Sequence, residues 1–232
     1  MSSVLVAWHP VTHDFGLIQA PLEEVLTAFM RWHSSLGTEF VRSEIATTLG
    51  DAFQSLLPLA NSKMRRLFVP TQSKWVACFQ NGIQGSDPFP AMSYLAQQMG
   101  VLAMRVCSTG PDLYAATIWE LYAPSSLGGD PLLGYRRSLS AANDGGKWKF
   151  SEAGEPFPFE LVDRYQLRRK RNRFTSDMLR DYVAHFGIRL FDDEFLRVSV
   201  HSPAIRLQQI TNVWHTPEFT CDEVIEGKPW RK

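Results

Sequence analysis

The chain has 232 residues, enough for one large domain or two small ones and enough to bury a core without disulfides or metals. Hydrophobic residues make up 44% and charged residues 21%, which excludes an intrinsically disordered chain. Lysine plus arginine equals aspartate plus glutamate at 24 each, so no global field draws the protein to nucleic acid or an anionic membrane, and an electrostatic partner must meet a local patch.

Residues 4–8 read as a short strand. That apolar run lacks a preceding basic segment and is too short for a secretory signal, and no stretch approaches the roughly 18 apolar residues of a membrane span. A cytoplasmic protein with no membrane association is the expectation. Three cysteines, Cys78, Cys107 and Cys221, lie far apart without a C-x-x-C spacing, which fits free thiols in a reducing compartment. Pro21 opens a helix, with Leu22, Val25, Leu26, Phe29, Trp32 or His33, and Leu36 on one apolar face and Gly37 as its stop. Residues 38–45 read as a strand and 51–57 as a short helix ended by Pro58. Two strands follow, over 66–69 and 75–79, with Asn81-Gly82 as a turn. Asp87-Pro88 signals the start of another helix. Phe89, Met92, Leu95, Ala96 and Met99 form its apolar face and Gly100 ends it.

The second half is richer in hairpin signals. Residues 101–107 and 113–122 read as strands joined by the turn Ser-Thr-Gly-Pro-Asp. After a glycine- and proline-rich loop over 124–134, residues 135–141 and 147–151 alternate apolar and polar around Asn-Asp-Gly-Gly, a strong hairpin pattern. An extended connection over 154–159 leads to a predicted helix over 160–172. A capped helix follows, with Thr175 or Ser176 as cap, Asp177 in its first turn and Gly187 as stop. Residues 195–200 and 205–213 read as final strands, and the tail from Glu226 as polar and mobile apart from Trp230. Strands arrive as neighbouring hairpins and do not alternate with helices. The expected class is therefore α+β, a mostly antiparallel sheet built from hairpins with helices packed on one side. A single domain over 1–232 is expected, with the 124–134 loop as the one candidate internal boundary.

Chemistry is sparsely signalled. No phosphate-binding P-loop or dinucleotide fingerprint is present, and Gly82-Ile83-Gln84-Gly85 reads as a plain turn. His9 and His13 are four apart, but Pro10 and a strand context separate them, so no metal site is assigned and no cofactor is expected. No nucleophile elbow occurs. Asp192, Asp193 and Glu194 read as a solvated acidic turn. Five tryptophans, Trp8, Trp75, Trp119, Trp148 and Trp214, fall in predicted strands or at their ends, where core packing is the preferred role.

The strongest charged feature is a run of six cations within ten residues: Arg164, Arg168, Arg169, Lys170, Arg171 and Arg173. On the predicted helix, Arg164, Arg168 and Arg171 share a face, and Arg169 and Arg173 a neighbouring one. A helix salt-bridged to its acidic neighbours is the plain reading. A docking surface for an acidic protein partner is the next, and nucleic-acid binding through the same helix is the less favoured third.

Two stretches, SKWVACFQNGIQGSDPFPAMSYLAQQMG and KWKFSEAGEPFPFELVDRYQLRRKRNRFTSDMLRDYVAHFGI, together resemble uncharacterised bacterial proteins of the kind found as immunity proteins beside polymorphic toxins. The resemblance implies a protein that neutralises a cognate toxin by direct binding, and it carries no catalytic residue. A binding protein of this kind needs a surface opposite in charge to its partner. The partner-binding candidates are Arg164, Arg168, Arg169, Arg171 and Arg173, with the acidic turn at 192–194 as another possible surface. The alternative is a small enzyme whose site is assembled from distant residues.

Overall fold

A computed structural model describes residues 4–62, 64–110, 114–132 and 134–230. In chain order its regular elements begin with α1 (Val4–Ala7), α2 (His9–Thr12), β1 (Asp14–Ile18), α3 (Leu22–Ser35), β2 (Phe40–Ile45), α4 (Leu49–Gln54), β3 (Leu59–Ala60), β4 (Arg65–Pro70) and β5 (Val76–Gln80). They continue with α5 (Phe89–Met99), β6 (Ala103–Ser108), β7 (Ala116–Tyr122), β8 (Tyr135–Asp144), β9 (Lys147–Ala153), α6 (Ser176–Ala184), β10 (Ala204–Gln209), β11 (Glu218–Phe219) and α7 (Cys221–Ile225). The fold is α+β with antiparallel strand pairing, as the hairpin pattern predicts.

The chain divides into two compact units, one made of residues 1–88 and 192–232, the other of residues 89–191. The 124–134 loop lies within the second unit, where it joins the paired strands β7 and β8.

In the first unit the strand order is β2-β10-β4-β5-β1, every neighbour antiparallel. β5 and β1 are buried along their whole length, so residues 76–79 and 15–18 do not alternate with polar ones, and even Asp14 and Gln80 at the strand ends are buried. Phe29 of α3 packs edge-on to Phe68 of β4, and Phe53 of α4 edge-on to Phe79 of β5. The first four residues described are helical, not a strand. The free N–H groups of Val4 and Leu5 donate to the Asp193 carboxylate at 2.6 and 3.1 Å, which satisfies the helix start from 188 residues away. Nor do residues 195–200 form a strand. Only isolated bridges occur there, Thr71 with Leu196 and Ser199 with Ser202.

In the second unit the order is the meander β6-β7-β8-β9. The turn between β8 and β9 is Gly145-Gly146, with φ of 59° and 93°. Both central residues need positive φ in a two-residue hairpin turn, and glycine adopts it without strain. Pro111, Asp112 and Leu113 of the predicted turn and strand, Leu133 of the 124–134 loop, and Arg231 and Lys232 of the tail lie outside the described residues. Thr175 caps α6 by accepting from Met178 N, and Gly187 follows with φ 75°. The buried Trp119 of β7 gathers Phe157, Tyr182 and Phe186 around it at centroid distances of 5.9–6.0 Å.

The largest departure from expectation is the segment over 160–172, which is not an α-helix. It forms two short 3-10 turns, Val162–Gln166 and Lys170–Asn172, separated by extended backbone at Leu167 and Arg169. Its inward anchors explain the break. Glu160, Tyr165 and Phe174 are buried, and their spacings of five and nine residues do not follow a helical face.

Candidate functional site

The segment from Gly154 to Thr175 crosses the β8–β9 hairpin as a strap, and its fastening begins with Arg137. Along β8 the inward positions are Arg137, Leu139 and Ala141, so strand alternation itself drives the arginine into the interior. Its guanidinium donates to the Glu160 carboxylate at 2.6–3.1 Å, to Glu152 at 3.0 Å and to the carbonyls of Ala153 and Gly154. Glu160 also accepts from Phe157 N and from the Tyr165 hydroxyl, and the Tyr182 hydroxyl accepts from Leu161 N. All five Arg137 donors and both Glu160 oxygens are thereby paired. Burial works to lower the Arg137 pKa, but its hydrogen bonds and charge interactions with Glu160 and Glu152 outweigh that and raise it.

Above this anchor, Arg164, Arg168, Arg169, Lys170 and Arg171 are exposed, and among the described residues none makes a side-chain ion pair. The salt-bridged helix is thus corrected on both counts. The backbone is not α-helical, so the helical faces assigned to these residues do not form. Of the nearby acids, Asp177 and Asp181 pair with Arg180 and Glu152 and Glu160 with Arg137, while Glu155 and Asp163 are exposed and make no ion pair with the run. Arg173 turns inward. Its Nε donates to the Leu167 carbonyl at 2.7 Å and its guanidinium lies 5.5 Å from the Phe150 ring centroid, so it fastens the strap.

Chain neutrality conceals a difference between units. Residues 89–191 contain 13 Lys and Arg against 10 Asp and Glu, a formal +3, and the remainder 11 against 14, a formal −3.

Beside the strap lies an open cleft of about 560 Å³. Arg171 and Thr175 of the strap, Asn143 and Trp148 of the β8–β9 hairpin, and Thr109 and Thr117 are among the residues that line it. Asn143 and Trp148 face one another across the β8–β9 register. The cleft escaped the sequence reading, although the Gly-Gly turn contained the signal: a two-residue turn places Asn143 opposite Trp148.

Other sequence candidates resolve into structural roles. Asp192 accepts from Glu194 N, and Asp193 binds the start of α1, so the acidic turn is engaged locally. His9 and His13 are brought together by α2, at a ring centroid distance of 5.0 Å, which corrects the strand context assigned to them. His13 Nδ1 lies 2.7 Å from the His9 carbonyl oxygen. No group of three or more potential metal ligands occurs among the described residues. At Gly85, φ is 85° and an added Cβ would lie 2.8 Å from His13 Nε2 and 3.0 Å from Asp14 Cβ, so the glycine permits close packing in a turn. Trp75 and Trp119 are core residues, whereas Trp214 is 76% exposed. No helix among the described residues is long and apolar enough to cross a membrane. Comparison with models of protein families, with curated proteins and with solved structures found no match.

Proposed function

We propose that this chain is a protein-binding module of the immunity type, which neutralises a toxin by direct binding, and that residues 164–171 are where it meets an acidic face of that partner. One observation carries the reading: five cations within eight residues stand exposed and without ion pairs, on a strap fixed beneath by a fully buried Arg137–Glu160 pair. Free cations on a rigid support attract an acidic surface over a distance of about 8 Å at physiological salt and raise the association rate. Arg164, Arg168, Arg169 and Arg171 form this surface, and Arg173 holds it in place. The second unit's formal positive charge adds to the same field.

The test starts with the protein that co-purifies with the chain from its host cell at moderate salt and near-equal stoichiometry. Its association rate is then measured against the native chain and against an Arg168→Glu, Arg169→Glu variant. The reading expects a toxin-like partner, a rate about tenfold lower or more for the variant, and a difference that shrinks with added salt. An unchanged rate removes the strap as the docking surface. Capture of nucleic acid in place of protein, with affinity falling steeply in salt, replaces the reading with the nucleic-acid alternative.

A further inference from the structure

We infer that the cleft beside the strap is the slot into which an acidic loop of the protein partner inserts, with a carboxylate against Arg171 and a backbone N–H against Asn143. The inference rests on the protein-binding reading and names the piece of the partner that is gripped.

The cleft's free valences define what fits. Arg171 brings an exposed cation without an ion pair. Asn143 brings a side-chain oxygen that is shielded from solvent and accepts no hydrogen bond. Trp148, half-buried opposite it, brings a flat apolar surface. A buried acceptor without a donor is costly, so a ligand that supplies an N–H there gains more than an exposed contact would give. A peptide offers such a donor at nearly every residue, and an Asp or Glu beside it offers the anion. Stacking of the intervening backbone or side chain on Trp148 completes the fit.

A phosphate-bearing ligand matches less well. A phosphate dianion offers no donor to the Asn143 oxygen, and among the described residues Arg171 is the one cation lining the cleft. Arg171 and the Asn143 oxygen together are the complement of a carboxylate beside an amide N–H. The volume, about 560 Å³, accommodates a few residues of a loop.

The probe is a ten-residue capped peptide of Asp, Glu and Gly, with a control in which Asn and Gln replace the acids, each titrated into the full chain. Binding is followed by the Trp148 indole signal in nuclear magnetic resonance, assigned with Trp148→Phe, and by anisotropy of the labelled peptide. The acidic peptide is expected to move the Trp148 signal and to saturate, with the control binding at least fivefold more weakly. Asn143→Ala, which changes no charge, is expected to weaken the acidic peptide at least threefold; Trp148→Leu, read by anisotropy, does the same should Asn143→Ala fail to fold. If the peptide moves the Arg168 and Arg169 amides but not Trp148, and Asn143→Ala binds normally, the slot is overturned while the strap reading stands. If it moves neither, both fall. Equal binding of the control peptide, or movement of Trp148 by guanosine monophosphate alone, also overturns the slot.

Discussion

The side chains of Arg137 and Glu160 are both completely shielded from solvent and meet at 2.6 Å. A buried pair of this kind gains little net stability over an apolar pair, because both charges must be dehydrated. Its effect here is positional. Arg137 belongs to the sheet and Glu160 to the strap, so the pair fixes where the strap crosses β8 and therefore where the five free cations stand.

Breaking one side of the pair strands the other charge. Glu160→Gln keeps an acceptor for Phe157 N and Tyr165 but removes the anion facing Arg137, and a loss of about 3 kcal/mol in urea unfolding is expected. Glu160→Leu also orphans those two donors and should lose more, about 5 kcal/mol. Equal stability of the native chain and Glu160→Leu would show that the strap is held by its aromatic anchors alone.

The tyrosines around this pair make the fold sensitive to alkali. Burial, together with hydrogen bonds among Tyr165, Tyr182 and Glu160, pushes the Tyr165 hydroxyl far above its ordinary range. Burial raises Tyr182 and Tyr135 as well, and burial with the adjacent Glu120 raises Tyr122 strongly. The folded state therefore favours the neutral phenol, while the unfolded chain ionises near pH 10. Stability should be complete below about pH 10 and fall as pH rises beyond it. Absorbance at 295 nm, compared with Tyr165→Phe and Tyr122→Phe, is expected to show Tyr165 and Tyr122 ionising only with unfolding. Reversible ionisation that these variants assign to Tyr165 or Tyr122 near pH 10 in the intact fold would contradict the buried network.

The parts of the fold legible in the sequence are those set by local chemistry. Gly145-Gly146 fixes the β8–β9 turn, Thr175 caps α6, and the apolar face of α3 with Gly37 beyond it is plain in its spacing. Non-local contacts overrode the local signal elsewhere. Val4–Ala7 is helical with Asp193, far along the chain, supplying its N-terminal acceptor. The run around 164–173 has residues that suit a helix, but Glu160, Tyr165 and Phe174 reach inward at spacings no helix matches. Of the candidate site, the cations were legible as a cluster. Their freedom from ion pairs was not, because it depends in part on Arg137 taking up Glu152 and Glu160 and on Arg180 taking up Asp177 and Asp181. Arg137 itself left a trace: an arginine in phase with Leu139 and Ala141 is aimed at a core, and an acid must be found for it.

The thiols should separate cleanly by burial. Cys78 is fully buried, and burial pushes its thiol up to about 12 against the opposing pull of the Arg66 charge. Cys107 is also buried, and Cys221 is half-buried with a raised pKa from burial and the adjacent Asp222. A thiolate-selective reagent at pH 8 is expected to label Cys221 alone, slowly, in the native chain and all three after denaturation. Fast native labelling of Cys78 would place it outside the core.

The acid side of the stability profile should carry the imprint of His33. Its ring lies 4.4 Å from Phe29 and 5.2 Å from Phe40, and the Arg66 guanidinium sits 5.5 Å from the centroids of both phenyl rings. Burial first, and the Arg66 charge second, lower the His33 pKa from 6.5 to about 4. Between these values the unfolded chain binds a proton at this position that the folded chain refuses. Stability from this group is therefore complete above pH 6.5 and is lost as pH falls toward 4. The expected results are a His33 ring signal that stays neutral below pH 5 and, in His33→Phe, a shallower decline of the urea midpoint between pH 6.5 and 4. An unchanged slope in that variant, or a His33 titration near 6.5, would mean that the ring is hydrated and that Arg66 does not act on it.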